Sequence, residues 1–117
     1  MKIDKREQNG ILIIALDGRM DGEDPSQFKQ SVHLWLKYNS KLILDCSQLS
    51  YLDSSGLGAL LSCLREAVKK GGDLRLAAVT SSVSMVFELT RTDKVFSTFE
   101  SVPQAIASYY KYGFSRE

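Results

Sequence analysis

The chain has 117 residues, 44% of them hydrophobic and 25% charged, which is the size and composition of one ordinary soluble globular domain. Its 15 basic and 14 acidic side chains leave a formal net charge of +1, so no strong field exists to attract nucleic acid or an anionic membrane. The amino terminus lacks the apolar stretch of a secretory signal, and the longest apolar run, residues 11–16, is too short to span a bilayer.

Predicted strands and helices alternate along the chain after an opening hairpin. The hairpin is indicated by Asn9-Gly10, because both residues tolerate the positive φ of a two-residue turn. In the first half we expect strands over residues 3–8, 11–16 and 41–45 and loops over 17–23 and 46–53. After the first of these loops we expect a helix that is capped by Asp24 and Gln27 and has Pro25 in its first turn. In the second half we expect helices over 54–70, from 80–82 onward and from 101–103 onward, with strands over 74–79 and 95–99.

This order of elements predicts an α/β fold. Strands that alternate with helices need crossover connections and a largely parallel sheet, while the hairpin adds an antiparallel edge strand. We therefore expect a single domain over residues 1–117, with a small mixed sheet and about four helices. The longest helix should end at Gly71-Gly72 and bury one apolar face, formed by Leu57, Leu60, Leu61, Leu64 and Val68.

Motifs for catalysis, cofactors or metal ions are lacking. The sequence has neither a phosphate-binding loop nor a dinucleotide fingerprint, and residues 55–58 lack the first glycine of a nucleophile elbow. His33, the only histidine, falls opposite the apolar stripe of its helix, where we expect a plain surface residue. Cys46 and Cys63 lie far apart, which favours reduced thiols in a cytoplasmic protein over a disulfide or a zinc site. We expect a protein that is not an enzyme and needs no cofactor or metal.

The most informative stretch is residues 49–58, which lead into the longest helix. Ser54 is expected to cap that helix, and a capping serine needs no further role. In a helix, Gly56 and Gly58 each lower stability by up to about 1 kcal/mol relative to alanine, so their presence calls for a reason. Either they allow close packing on the sheet, or they leave a bare backbone that another protein can approach. A phosphate on Ser54 would also be favourable beside the free N–H groups of a helix start. The residues alone leave these alternatives open.

Residues 51–58, Tyr-Leu-Asp-Ser-Ser-Gly-Leu-Gly, resemble the motif of bacterial anti-sigma-factor antagonists in the STAS domain family. The resemblance continues in the family's order through residues 16–21, 42–45, 71–72, 83–89 and 95–96. It implies a cytoplasmic switch protein whose unmodified form binds an anti-sigma factor that is also a serine kinase. Phosphorylation of Ser54 by that kinase would release the partner, and a serine phosphatase would reset the switch.

The resemblance also implies a set of site residues. Asp21 and Asp53 match the family's acidic residues beside the acceptor, although turn or capping chemistry explains an aspartate equally well. Partner-binding residues are expected in this region and on the exposed side of the long helix, at Asp21, Asp53, Ser55, Gly56, Gly58, Ser62, Arg65 and Glu66. The sequence departs from the family at Arg19, where an acidic residue is common, at Ser82, and in the tail, residues 109–117.

Two other classes of function stay open. A STAS protein can be a scaffold in a stressosome-like complex or a separate subunit of a transport complex. An enzyme or a small-molecule binder is the third class, and it is disfavoured because no site can be assembled from the residues.

Overall fold

The computed structural model describes residues 1–110, so most of the divergent tail, residues 109–117, lies outside the described residues. Within that range the elements follow in the order β1 (Lys2–Gln8), β2 (Ile11–Met20), α1 (Asp24–Trp35), β3 (Lys41–Leu52), α2 (Ser54–Lys69), β4 (Asp73–Ala77), α3 (Ser81–Leu89), β5 (Thr98–Phe99) and α4 (Val102–Ser108).

One mixed sheet with the strand order β1-β2-β3-β4-β5 organises these elements. β1 pairs antiparallel with β2, and the other neighbouring strands pair in parallel. The β1–β2 turn has φ values of 54° at Asn9 and 79° at Gly10, which confirms the predicted hairpin. The expected α/β fold with a small mixed sheet, an antiparallel edge strand and four helices is confirmed.

Apolar side chains fill both faces of the sheet, because successive residues of a strand point to opposite sides. Leu12, Ile14 and Leu16 of β2 pack with residues of α1, α2 and α3 in the larger cluster. Ile11 and Ile13 point the other way and pack against Ala105 and Tyr109 near the end of the chain. Helices on both faces explain why the first parts of the central strands, residues 11–16 and 42–44, are continuously apolar.

β2 and β3 are longer than the sequence predicts. Residues 17–20 and 46–52, expected in loops, continue the parallel pairing as far as Met20 opposite Leu52. Register shifts interrupt the ladder on either side of Asp17 and Gly18. In the second part of β3, two exposed residues separate each buried residue from the next. Polar residues on one side of an irregular strand resemble a loop in sequence, which is why the prediction was wrong.

Other boundaries also differ from the prediction. Glu23, not Asp24, precedes α1 and makes no side-chain cap, so the predicted capping box is wrong. β4 ends at Ala77, and the last strand is reduced to two residues, Thr98–Phe99. Val68, expected in the core, is 40% exposed, because α2 buries the smaller Ala59, Cys63 and Ala67 against its neighbours instead.

Candidate functional site

The site forms where β2 and β3 end beside the start of α2. Met20 and Leu52 are register partners at the ends of these strands, so the residues that follow, Asp21 and Asp53, emerge at the same edge of the sheet. A Cβ atom on Gly56 would lie 2.7 Å from Leu52 Cδ1 and 3.0 Å from the Met20 carbonyl oxygen. Gly56 is therefore required for close packing of α2 onto both strands.

Asp53 caps α2. Its backbone is extended, and its Oδ1 accepts hydrogen bonds from Gly56 N at 2.7 Å and from Ser55 Oγ at 2.8 Å. The prediction that Ser54 is the cap is wrong, because Ser54 is already the first residue of the helix. The Gly56 N–H, followed by the Ser55 hydroxyl, holds the pKa of the Asp53 carboxyl below its usual value. Asp53 therefore brings a negative charge to the site at neutral pH.

The two adjacent serines differ in their hydrogen bonding, although both are exposed. Ser55 donates its hydroxyl to Asp53. Among the described residues, Ser54 Oγ has no hydrogen-bond partner, so no contact fixes the orientation of the hydroxyl. The residue is also exposed to solvent. Of the two hydroxyls, that of Ser54 is thus the easier one for another protein to reach and modify.

Arg19, Asp21 and Tyr51 form a small cluster on the same edge. Arg19 Nε lies 3.1 Å from Asp21 Oδ2, and Arg19 Cζ lies 4.0 Å from the centre of the Tyr51 ring. The cation–π contact follows from the ladder, in which Arg19 and Tyr51 are register partners. Sequence analysis singled out Arg19 as a departure from the family but did not predict this cluster.

The exposed side of α2 extends the site away from Ser54. At 3.6 residues per turn, one stripe of the helix contains Ser54, Gly58, Ser62, Arg65 and Lys69. All of these residues are exposed except Ser62, which is half-buried. Gly58 has open space around it, with nothing within 4 Å of an added Cβ atom. The stripe is therefore bare near Ser54 and charged toward its far end.

Glu66 lies at the border of this stripe rather than on it. Its Oε1 contacts His33 Nδ1 of α1, and its side chain is 29% exposed. His33 is a surface residue as predicted, with a side chain 62% exposed, but its contact with Glu66 was not predicted. Beside this pair, a groove of about 470 Å³ runs between α1 and α2, with Leu34, Ser62 and Cys63 among its lining residues. Leu34 is 54% exposed there, so the groove offers an apolar contact next to the polar stripe.

The cysteines lie in the core. Cys46 and Cys63 are free and buried, and burial raises the pKa of each thiol to about 12. Both are therefore protonated at neutral pH and are poor nucleophiles. Within residues 1–110, no group of three or more histidine, cysteine, aspartate or glutamate side chains is arranged to hold a metal ion. No helix in that part of the chain is both long enough and apolar enough to cross a membrane.

Replacing Asp53 should destabilise α2 and change how stability depends on pH. Asp53→Ala should lower the melting temperature at pH 7, and Asp53→Asn, which keeps an acceptor oxygen, should lower it less. Because the folded-state pKa of Asp53 is lowered, its contribution is complete above the ordinary value of 3.8 and is lost as the pH falls through the folded-state value. Thermal melts from pH 2 to 7 should therefore show the melting temperature of the parent approaching that of Asp53→Asn at the acid end, while Asp53→Ala stays below both. Parallel curves would contradict this assignment.

Comparison with known proteins gives relatives of similar length. The anti-sigma F factor antagonist of Paenibacillus polymyxa is 22% identical over 108 residues, which cover 91% of this chain and 92% of the relative. The crystal structure of TM1081 from Thermotoga maritima superposes with a TM-score of 0.85 at 22% identity, covering 91% of this chain and 92% of that one.

A third similar protein, the anti-sigma factor antagonist SpoIIAA, is known in two states. Its unphosphorylated form has a TM-score of 0.81 at 20% identity, covering 98% of this chain and 100% of SpoIIAA. The phosphorylated form, from Bacillus, has a TM-score of 0.73 at 20% identity and covers 92% and 98%. The STAS domain model matches residues 2–105, which is most of the sequence. This chain belongs to the STAS domain family.

Proposed function

We propose that the chain is an anti-sigma-factor antagonist that binds an anti-sigma factor with serine kinase activity while Ser54 is unmodified. Phosphorylation of Ser54 then releases it, and a serine phosphatase resets it. The main support is the exposed hydroxyl of Ser54 at the start of α2, which has no hydrogen-bond partner within residues 1–110, in a fold shared with proteins named anti-sigma factor antagonists. The switch operates in the cytoplasm, where ATP is available, without direct contact with nucleic acid or membrane.

The chain contributes only the acceptor group to the reaction. Ser54 Oγ forms a bond to the γ-phosphorus of ATP while the bond to the β–γ bridging oxygen breaks, and ADP leaves. The hydroxyl proton passes to a base of the kinase, which also supplies the metal-bound nucleotide. Reset is hydrolysis of the phosphoester by the phosphatase. No catalytic residue of this chain is needed in either step.

The partner docks on the edge around Ser54 and along the exposed stripe of α2. Asp21, Ser55, Gly58 and Arg65 are exposed or half-exposed there, which suits direct contact. Ser62 and Glu66 border the groove between α1 and α2, where an apolar side chain of the partner can reach Leu34. Gly56 and Asp53 act indirectly, since one packs on the strands and the other caps the helix.

Mapping the phosphorylated residue tests the proposal directly. The purified chain is incubated with its cognate kinase and ATP, together with Ser54→Ala and Ser55→Ala variants, and the modified peptide is identified by mass spectrometry. We expect one phosphate on Ser54 in the unmodified sequence and in Ser55→Ala, and none in Ser54→Ala. Phosphate on Ser55 alone, or none on any form, would contradict the proposal.

The two glycines of α2 should respond to alanine in opposite ways. Gly56→Ala places a methyl group against Leu52 and the Met20 backbone, and should destabilise the fold by about 1–3 kcal/mol. Gly58→Ala enters open space and should stabilise the helix by up to about 1 kcal/mol. Urea denaturation of both variants measures these changes.

Gly58→Ala also tests whether the partner docks on the first turns of α2 or whether this helix has only a structural role. If the partner packs on the bare backbone, this stabilising change should weaken kinase binding by about tenfold, because an extra methyl group must be accommodated in a packed interface. Glu7→Ala, exposed on β1 beside the hairpin turn at the opposite edge of the sheet, is the control and should bind normally. Unchanged kinase affinity of Gly58→Ala would show that the partner does not bind this part of α2.

Affinity capture distinguishes this role from a scaffold in a stressosome-like or transport complex. The Ser54→Ala form cannot be released by phosphorylation at that position, so we expect it to retain the kinase. Retention of a transporter subunit or of a large scaffold in place of a kinase would favour the other role.

A further inference from the structure

The groove between α1 and α2 combines an apolar contact with charged walls. Its volume is about 470 Å³, and its lining includes Lys29, His33 and Leu34 from α1 and Cys63 and Glu66 from α2. Leu34 is 54% exposed there, so the groove holds apolar surface in contact with water that a partner can cover.

Three cations surround this apolar contact. Lys29 lines the groove, and Arg65 and Lys69 line a second depression that adjoins it at His33 and Glu66. All three are exposed, and within residues 1–110 none of them forms an ion pair. Lys69 lies in the last turn of α2, where a cation complements the helix dipole, but Lys29 and Arg65 lie before the last turns of their helices. The helix dipoles therefore do not account for the whole group.

Acidic residues are distributed in the opposite way. Among the lining residues of the groove and its adjoining depression, Glu66 is the only acid, and it already contacts His33. At the other end of the two helices, beside Ser54, the first residues and caps carry Glu23, Asp24 and Asp53. An acidic segment of another protein should therefore be attracted to the groove and repelled from the Ser54 edge.

The shape of the groove favours a helix as its occupant. Both walls are helices, whose interior backbone N–H and C=O groups are bonded within each helix. An extended peptide would find no backbone partners there. A helix satisfies its own backbone and can place apolar residues at i, i+3 and i+4 into the groove.

We propose that the groove binds an acidic amphipathic helix of the kinase partner. Its apolar side packs on Leu34, and its Asp or Glu side chains lie against Lys29, Arg65 and Lys69. The inference rests on the proposed function in taking the kinase as the partner, and it extends the docking surface from α2 across the groove onto α1.

This contact lies away from the modified residue. Arg65 is about 16 Å from Ser54 along the axis of α2, which exceeds the Debye length of about 8 Å at physiological salt. Phosphate on Ser54 should therefore leave the field of the groove nearly unchanged. The groove then guides the encounter with the kinase in either form of the chain, while the Ser54 edge determines how long the complex lasts.

Association rates with the cognate kinase test the electrostatic part. Lys29→Gln is the decisive variant, because Lys29 lies on α1 and outside the stripe of α2. It should slow association by about threefold in about 0.01 M salt and leave the rate unchanged in about 1 M salt. Lys2→Gln is the matched control, since Lys2 is exposed and its neighbour Ile3 packs with the core on the α1 side, so that Lys2 points to the opposite face. It should change the rate by less than about 1.5-fold.

Dissociation rates test the apolar part. Leu34→Ala should speed dissociation by about fivefold and leave association nearly unchanged. Leu89→Ala is the matched control, because Leu89 is 78% exposed at the end of α3 and does not line the groove. Thermal melts of the four variants check that the fold is kept.

Rates equal to those of the parent for both Lys29→Gln and Leu34→Ala would overturn the inference. If Ser54 of the parent is phosphorylated and the kinase released, that result leaves the proposed function standing, whereas a parent chain that binds no kinase would overturn both. Sedimentation velocity of the chain alone covers the other occupant. Self-association that is lost in Leu34→Ala would also overturn the inference, because a second copy of the chain would then fill the groove.

Discussion

Phosphorylation of Ser54 should lower the affinity of the chain for its kinase partner by about a hundredfold while the fold survives. In the free protein the phosphate stays in water at an exposed helix start, so little stability is lost. In the complex the same group must be desolvated against a surface that faced a neutral hydroxyl. Without a matching cation on the partner this costs several kcal/mol, and a loss of about 3 kcal/mol is roughly a hundredfold in affinity.

Four forms measured under one set of conditions test this prediction. The unmodified chain and Ser54→Ala should bind the kinase alike. Within the described residues the Ser54 hydroxyl makes no hydrogen bond, so its removal should leave the fold and the docking surface unchanged. Ser54→Asp has less charge and volume than phosphoserine, so it should weaken binding only partly. Circular dichroism of all four forms checks that the fold is kept. Equal affinity of the phosphorylated and unmodified chains would rule out the switch even if Ser54 is modified.

Local sequence patterns predicted the parts of the fold that depend on neighbouring residues. The Asn9-Gly10 turn, the alternation of strands and helices, and the long α2 all follow from short-range propensity and periodicity. The ends of β2 and β3 could not be predicted in this way. Residues 17–20 and 46–52 form strands because they pair with each other, and paired residues such as Met20 and Leu52 are far apart in sequence. Pairing at that separation leaves no local periodicity when one strand face is polar.

The candidate site shows the same division. The motif at residues 51–58 made Ser54 the candidate phosphoacceptor by resemblance. The helix-start pattern of the same residues predicted Ser54 as the cap, whereas Asp53 is the residue whose side chain accepts a hydrogen bond from Gly56 N. The Arg19–Tyr51 contact depends on a register shift in the ladder, and the contact of His33 with Glu66 depends on how α1 packs against α2. Neither could be derived without the tertiary arrangement.

A buried ion pair under α4 was also not predicted, and it lies on the sheet face opposite α2. Arg75 Nε is 3.0 Å from Asp73 Oδ2, with side chains 8% and 1% exposed. Arg75 also donates to Ser108 Oγ at 2.6 Å, and its Cζ lies 4.1 Å from the centre of the Tyr109 ring. The Tyr109 hydroxyl in turn donates to the carbonyl oxygens of Leu42 and Asp73. These contacts fasten the last helix to β3 and β4.

Arg75→Met should therefore destabilise the chain by about 3 kcal/mol, because it leaves the buried Asp73 carboxylate without this cation while preserving most of the side-chain volume. Combining it with Asp73→Asn should recover part of the loss, since the charge that remains is then removed as well. Arg65→Met, on the exposed stripe of α2, is the matched control and should change stability by no more than about 0.5 kcal/mol.

Urea denaturation of the three variants and the parent gives the comparison. A loss below about 1 kcal/mol for Arg75→Met would show that the pair contributes little to holding α4. At temperatures where Arg75→Met stays folded it should still bind the kinase normally, because the pair is on the far side of the sheet from Ser54.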